Sequence, residues 1–501
     1  MRRKRKETQE TQIQEQPAAF LQRTAPVYNI LGEEKIVLIE EAADNILSQI
    51  GIAVRHPPSL KLLQNIGLDI DGDLVRFPPG YCRNLIKQNA PAQFVQHARN
   101  PDRSVHIGGD SMVLVPVYGP PFVRALDMER HYGTLEDFNN FVKLAHVCPQ
   151  MHHSGGTICE PTDIPTPKRH LDMIYSHILY SDKPFMGAVT AGERAQDTMT
   201  MCDIAFGKDF VTKNCVTTNL INLNSPLVLD ETMLDAAHVY AKANQATVIT
   251  PFIIAGASGP TTVAGSVAQS LAETLAAMAI VQLVKPGAPI VFGFMMMGMN
   301  MRSGSPLRFD ETWKSMLIAG QLARRLGVPF RCGGSSSSAK VLDAQAGWEG
   351  ALYMIFSMLA GVNFLIHATG TLEAGLVADF DKFVLDCDML GAAARMMTEV
   401  EVNDDTLAID AIAEATPGGN FLATAHTLAR YKSVFYDSTL SDGNSFEQWQ
   451  VDGSQDAATR ANRRMRKLLA DYEAPELDPA INEELLEFMA KRKAVLPDSF
   501  A

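Results

Sequence analysis

Cysteine is scarce in this 501-residue chain, and none of it is paired by sequence. Cys82, Cys148, Cys159, Cys202, Cys215, Cys332 and Cys387 stand apart without a CxxC motif. That leaves no zinc-ribbon or thioredoxin-type pattern and suits reduced thiols in a cytoplasm. Basic charge is also short: 44 Lys and Arg against 57 Asp and Glu give a formal net charge of −13. A phosphate-backbone partner would want the opposite sign, so no nucleic acid is expected. The single basic run, Arg2-Arg3-Lys4-Arg5-Lys6, passes straight into Glu, Gln and Thr, and residues 1–20 read as a solvated, disordered tail. No apolar core follows it, so a secretory signal is not expected. The greasiest stretch, residues 288–301, is too short and too rich in Gly and Met to span a bilayer.

What the sequence does contain is rhythm. Between residues 112 and 398, short apolar runs alternate eight times with amphipathic segments. The runs begin near Met112, Met151, Pro184, Cys215, Thr247, Ala288, Val328 and Val362. Parallel neighbours need crossovers long enough to hold a helix, so the alternation predicts βα units. Eight in series predict an α/β fold of the closed (β/α)8 TIM-barrel type over residues 112–402. Residues 21–111 read as a helical cap segment with a little β structure, including a helix over 35–50 and a hairpin about Asp71-Gly72-Asp73. Residues 403–501 form a C-terminal extension ending in two charged helices, which suit a solvated layer or a subunit contact. Pro260 is placed at the first position of a long Ala-rich helix.

Barrel enzymes work at the carboxyl ends of their strands, so the candidate residues lie in eight loops. Gly333-Gly334, four serines and an expected helix start form a candidate anion site, to which Gly334, Ser335 and Ser337 would contribute. A plain Ser-rich helix start is the alternative. Lys340 falls near that helix start, where it could equally form a surface pair with Asp343. His152-His153 with Glu160 has no usual ligand spacing, so no metal is expected; His153 and Glu160 stay as substrate-binding candidates. His367 ends strand eight, and Glu373 follows it. Tyr118, Phe122, Phe252, Phe294 and Met297 offer soft faces which, with a carboxylate, could hold a quaternary ammonium. Core packing is the alternative for the Phe and Met residues.

Several of these segments resemble the trimethylamine methyltransferase family of corrinoid-dependent enzymes. They are Val117-Tyr118-Gly119, Gly155-Gly156-Thr157 with Glu160-Pro161, and Gly333-Gly334 through Ala339-Lys340 with Asp343-Ala344-Gln345-Ala346-Gly347. Gly418-Gly419-Asn420-Phe421 with His426-Thr427-Leu428 completes the set, and the likeness covers about residues 25–495. The resemblance implies a barrel that passes a substrate methyl group to Co(I) of a separate corrinoid protein docked over the mouth. It implies no tightly bound cofactor, and a homo-oligomer is expected. Founding archaeal members carry pyrrolysine in the seventh-strand loop; residues 334–337 here are standard. Relatives without it demethylate quaternary amines such as glycine betaine, proline betaine and carnitine. The expectation is therefore quaternary-amine demethylation, glycine betaine first, with Tyr118, Phe122 and Glu160 on the cation and the seventh loop with His367 on a carboxylate. Two rivals stay open: a barrel lyase or isomerase seating a phosphorylated substrate on residues 333–338, and a non-catalytic quaternary-amine binding protein.

Overall fold

The computed structural model describes residues 18–307 and 310–500, so the basic run and most of the expected tail lie outside the described residues. Phe20, assigned to that tail, instead stacks on His106 with ring centroids 4.9 Å apart.

Seven parallel strands follow one another around a ring: Phe185–Met186, Thr217–Leu223, Ala246–Ala255, Ile290–Gly293, Phe330–Gly333, Phe364–Ile366 and Ser111–Leu114. The expected second strand differs. Residues 151–155 fill the gap between the first and third strands but form no regular strand. They close the ring through the His152 N–H to Leu114 O (3.2 Å), the Ser154 N–H to Pro184 O (2.9 Å) and the Met186 N–H to Gly155 O (2.8 Å). The irregularity has a cause in the side chains. The Leu114 N–H donates to His152 Nδ1 (3.1 Å) and the Gly155 N–H to His153 Nδ1 (3.0 Å), so imidazoles take donors that a ladder would use. Burial pulls the His152 pKa down to about 3, in keeping with a neutral acceptor ring. The fold is a (β/α)8 barrel.

Strand six, whose apolar run begins near Ala288, breaks at Phe294. Its second half, Met295–Met299, pairs with strand five and turns back on Pro306–Leu307, so a short hairpin stands at the mouth. The barrel interior is packed by Val113, Val115, Leu220, Val248, Val291, Phe364 and Ile366. Below them the antiparallel pair Gln93–Gln96 and Val105–Gly108 supplies Phe94, Val105 and Ile107 as a floor.

Three helices of the cap segment, Glu33–Asn45, Pro57–Asn65 and Tyr81–Asn89, lie on the barrel helix Val263–Val284. This explains that helix's composition, since a helix covered on every side is apolar all round. It is long and apolar enough to cross a membrane, yet 89% of its apolar window is buried in the protein. It begins at Val263 with Thr262 as N-cap, so Pro260 belongs to the preceding turn and not to the helix's first position. The two expected C-terminal helices are Ala457–Ala470 and Pro479–Val495. The second clamps the outer wall: Arg492 donates to Asp197 (2.7 Å) and Lys493 to Asp172 (2.5 Å).

Lys183 ties the irregular second segment to the first barrel helix. Its buried ammonium donates to Ala145 O (2.7 Å), Cys148 O (3.1 Å) and Met151 O (2.6 Å). Lys183→Met strips these carbonyls of a charged donor and is expected to lower unfolding stability by about 2–4 kcal/mol. Urea denaturation followed by circular dichroism measures the loss.

Candidate active site at the barrel mouth

A cavity of about 700 Å3 opens at the carboxyl ends of the strands. The ends of all seven strands and of the irregular second segment reach it, in chain order through Tyr118, Thr157 and Glu160, Val189, Asn222, Phe252, Met297, Arg331 and His367. Five expected residues therefore meet there: Tyr118, Glu160, Phe252, Met297 and His367.

Desolvation pushes the Tyr118 phenol up to about 12, against a lowering hydrogen bond with Thr157, so the group stays protonated. His367 sits at a left-handed φ of 61° and accepts the Tyr118 N–H at Nδ1 (3.3 Å). In the neutral ring this assigns the proton to Nε2. Glu160 does not stand alone: its carboxylate meets the Arg169 guanidinium at 2.6 Å. Burial raises the Glu160 pKa, opposed by Arg169 and Arg194. Arg194 also lines the cavity and donates to Thr190 Oγ1 at 2.6 Å. Deeper, on strand seven, Arg331 is 2% exposed and lines the same space. Among the described residues lining the cavity, three guanidiniums face one carboxylate, an excess of positive charge.

Eight expected residues do not line the cavity, among them Phe294, which is buried in the core. Phe122 is occupied: Arg130 lies 3.4 Å from its ring centroid and Tyr132 packs on it at 4.6 Å, so this cation–π face is taken by the protein. Glu373 is the acid partner of the same Arg130 (3.3 Å). His153 is buried beneath the site, its Nε2 against Gln96 Oε1 (3.3 Å) and its ring edge-on to Phe364. Gly334 is glycine because strand eight is close: a Cβ there would stand 2.8 Å from His367 O. No ligand is needed to explain it. Lys340 is exposed and donates to Ser338 O (2.7 Å). The expected helix start also moves: the helix is Ala344–Leu359 with Asp343 as N-cap, so Lys340 precedes it.

The serine loop binds carboxylates of its own chain. Ser337 Oγ and the Ser338 N–H both donate to Glu349 Oε2 at 2.7 Å, and Ser335 Oγ donates to Asp386 Oδ1 at 2.8 Å. Donors that could have held a phosphate are thereby engaged. Asp386 also accepts the Gly370 N–H (2.8 Å) and ion-pairs with fully buried Lys382 (2.7 Å). Lys382 in turn donates to Ser335 Oγ (2.8 Å), locking loops seven and eight together. No group of three or more His, Cys, Asp or Glu among the described residues is placed to hold a metal ion.

Arg331, Arg169 and Arg194 escaped the sequence reading. Only Arg331 left a signal, a lone charge within the apolar run Val328 to Cys332. A charge buried in a barrel strand marks a special site, and this one lines the cavity.

The architecture and the mouth cavity define a barrel enzyme, and the comparisons make it a methyltransferase. The family model described as trimethylamine methyltransferase (MTTB) matches residues 1–497, and the chain belongs to that family. It is 39% identical to a glycine betaine methyltransferase of Desulfitobacterium hafniense over 469 residues, covering 93% of this chain and 98% of the relative. It is 24% identical to a trimethylamine methyltransferase of Methanosarcina mazei, covering 91% and 94%. The crystal structure of the Methanosarcina barkeri monomethylamine methyltransferase shares the fold, with a TM-score of 0.53 at 12% identity and 90% of each chain covered.

Lys382→Met leaves Asp386 charged and buried without its partner, and an expected loss of about 3–5 kcal/mol is measurable by denaturant unfolding. A pH effect accompanies it. Asp379 caps the helix Phe380–Met396 through the Lys382 N–H, and burial raises its pKa to about 7. A carboxyl whose folded pKa lies above its unfolded value takes up a proton on folding. Its contribution is full below pH of about 4 and is lost as pH rises towards 7. Asp379→Asn is expected to flatten stability across that window, as read by unfolding curves at about pH 5 and about pH 7.5.

Proposed function

We propose that this methyltransferase demethylates a quaternary ammonium that also bears a carboxylate, glycine betaine before others, with Co(I) of a corrinoid protein as methyl acceptor. The observation that carries the reading is Arg331 deep in a positively charged cavity ringed by the strand ends. A bare cation is disfavoured there, whereas a zwitterion can set its carboxylate on Arg331 and His367 Nε2–H. The relative from D. hafniense, a glycine betaine methyltransferase, supports the same substrate.

In this pose the trimethylammonium head rises towards the mouth, against the ring of Tyr118 and the soft side chains of Phe252, Met295 and Met297. Glu160, neutralised by Arg169, tempers the local positive charge and does not act as the main counter-ion. The reaction needs no acid or base. The C–N bond breaks with its electron pair left on nitrogen, giving a neutral tertiary amine, while the methyl carbon takes the electron pair of Co(I). Tyr118 remains a phenol throughout, and the protein's work is to align the C–N bond and exclude water.

Arg331→Met is expected to weaken glycine betaine binding by about 100-fold or more, as loss of one partner of a buried charge pair. Choline and tetramethylammonium, which lack the carboxylate, are expected to give little turnover. Methyl-cobalamin absorbance from Co(I) cobalamin, together with calorimetry, reads both effects. Equal turnover of choline and glycine betaine would remove the carboxylate from the proposal.

A further inference from the structure

Below the mouth, four neighbouring strands set one residue each in a row across the cavity floor. Asn222 of strand four is paired in register with Thr250 of strand five, and Gly293 of strand six with Arg331 of strand seven. Strands five and six pair as far as Ile249 and Phe292, so one residue further on Thr250 stands beside Gly293. Side chains alternate across a strand. Val248 and Val291, two residues back, pack the barrel interior, and positions 250 and 293 therefore face inward as well. Asn222, Thr250 and Arg331 all line the cavity.

Gly293 sets the spacing of this row. A Cβ there would stand 1.8 Å from Thr250 Oγ1, so the hydroxyl lies in space that any other side chain would fill. Glycine lets it lean over strand six, towards the strand that carries Arg331. In that position the hydroxyl has no use within the fold. Thr250 is 1% exposed, and its Oγ1 has no hydrogen-bond partner among the described residues. The buried hydroxyls of Thr247, Ser270, Ser336 and Thr371 lack partners too, but none of these residues lines the cavity. A buried hydroxyl without a partner destabilises the fold that holds it, and a valine of the same shape would not. Thr250 is therefore poorly placed for stability and well placed for a guest.

We propose that Thr250 is a substrate-binding residue, its hydroxyl donating to the substrate carboxylate beside Arg331. The inference rests on the carboxylate-bearing substrate proposed above, and adds a neutral donor to the charged one. Arg331 supplies charge, which any small anion would satisfy, whereas a hydroxyl held beside Gly293 supplies position. A turn about χ1 between staggered positions carries the O–H to a guest on the floor without moving the strand. Once bonded, the hydroxyl no longer destabilises the protein, so binding a carboxylate removes that penalty. A trimethylammonium compound without a carboxylate has no acceptor to offer and leaves the penalty in place. Selection on the floor thus comes from completing a hydrogen bond as well as from charge.

Calorimetry with glycine betaine on the full chain tests this, together with kinetics read from methyl-cobalamin absorbance. Thr250→Val is expected to weaken glycine betaine binding about 10- to 100-fold, the worth of one hydrogen bond to a charged group. The loss falls on KM more than on kcat, because the bond holds the carboxylate alike before and during methyl transfer. Thr250→Ser, which keeps the hydroxyl, is expected to bind within a few-fold of wild type. In urea without substrate, the unfolding midpoint of Thr250→Val is expected at or above that of wild type. A lower midpoint overturns the proposal, since the hydroxyl would then serve the fold. So does a serine variant that binds as weakly as the valine one. Undiminished glycine betaine binding by Thr250→Val, with binding lost in Arg331→Met, removes Thr250 and leaves the carboxylate reading standing. Undiminished binding by both variants removes the two together.

Discussion

The mouth of this barrel is organised by one buried ammonium. Lys382 lies wholly inside the protein between the last two barrel loops, holding Asp386 and both oxygens of Ser335. Two charges taken out of water are a poor source of stability, but a well-bonded pair is an effective way to fix geometry. Here the pair fixes the register of loop seven against loop eight. Gly334 presses on the His367 carbonyl, and Ala374 hangs from Ser337 O by its own N–H (2.8 Å). His367, Glu373 and Ala374 all keep left-handed backbone angles, which persist only where the surroundings over-determine them. Arg331 and His367 keep their places in the cavity wall because the loops beyond them cannot shift independently.

That rigidity matches the chemistry. In the proposed reaction a tertiary amine departs without taking a proton, so the site has no need of a poised base. Tyr118 is driven away from ionisation, His152 and His177 are held neutral by burial at about 3 and about 4, and Glu160 is answered by arginine. What remains is a shaped cavity with a charge pattern. The proposed selection of a zwitterion over a cation rests on electrostatics at short range in a dehydrated space, where a guanidinium counts for far more than it would in water.

The sequence announced the barrel because its periodicity is a property of burial: strands are apolar on both faces and most of the outer helices on one. It misled where side chains replace backbone partners. Nothing in the run from Met151 to Gly155 distinguishes a strand from a segment whose imidazoles accept the ladder's own N–H groups. The serine loop misled for the opposite reason. Its glycines and hydroxyls are those an anion site would use, but the acids that answer them, Glu349 and Asp386, lie 12 and 51 residues away along the chain. Phe122 is an aromatic face that does hold a cation, but the cation is Arg130 on the partner strand of its own hairpin. Partners that a motif does not contain decide whether it is a site or a support, and local reading cannot supply them.

The helix Val263–Val284 carries this lesson to the whole molecule. By composition alone it could cross a membrane, and its apolar character has a different origin in the cap segment laid over it. A surface is judged by what covers it. Residues 398–435 show the converse, because no described element of the chain covers their apolar side chains as the cap helices cover Val263–Val284. One apolar surface is buried by the chain's own amino-terminal segment, and the other stands exposed among the described residues. Neither segment lines the cavity at the carboxyl ends of the strands, which stays open.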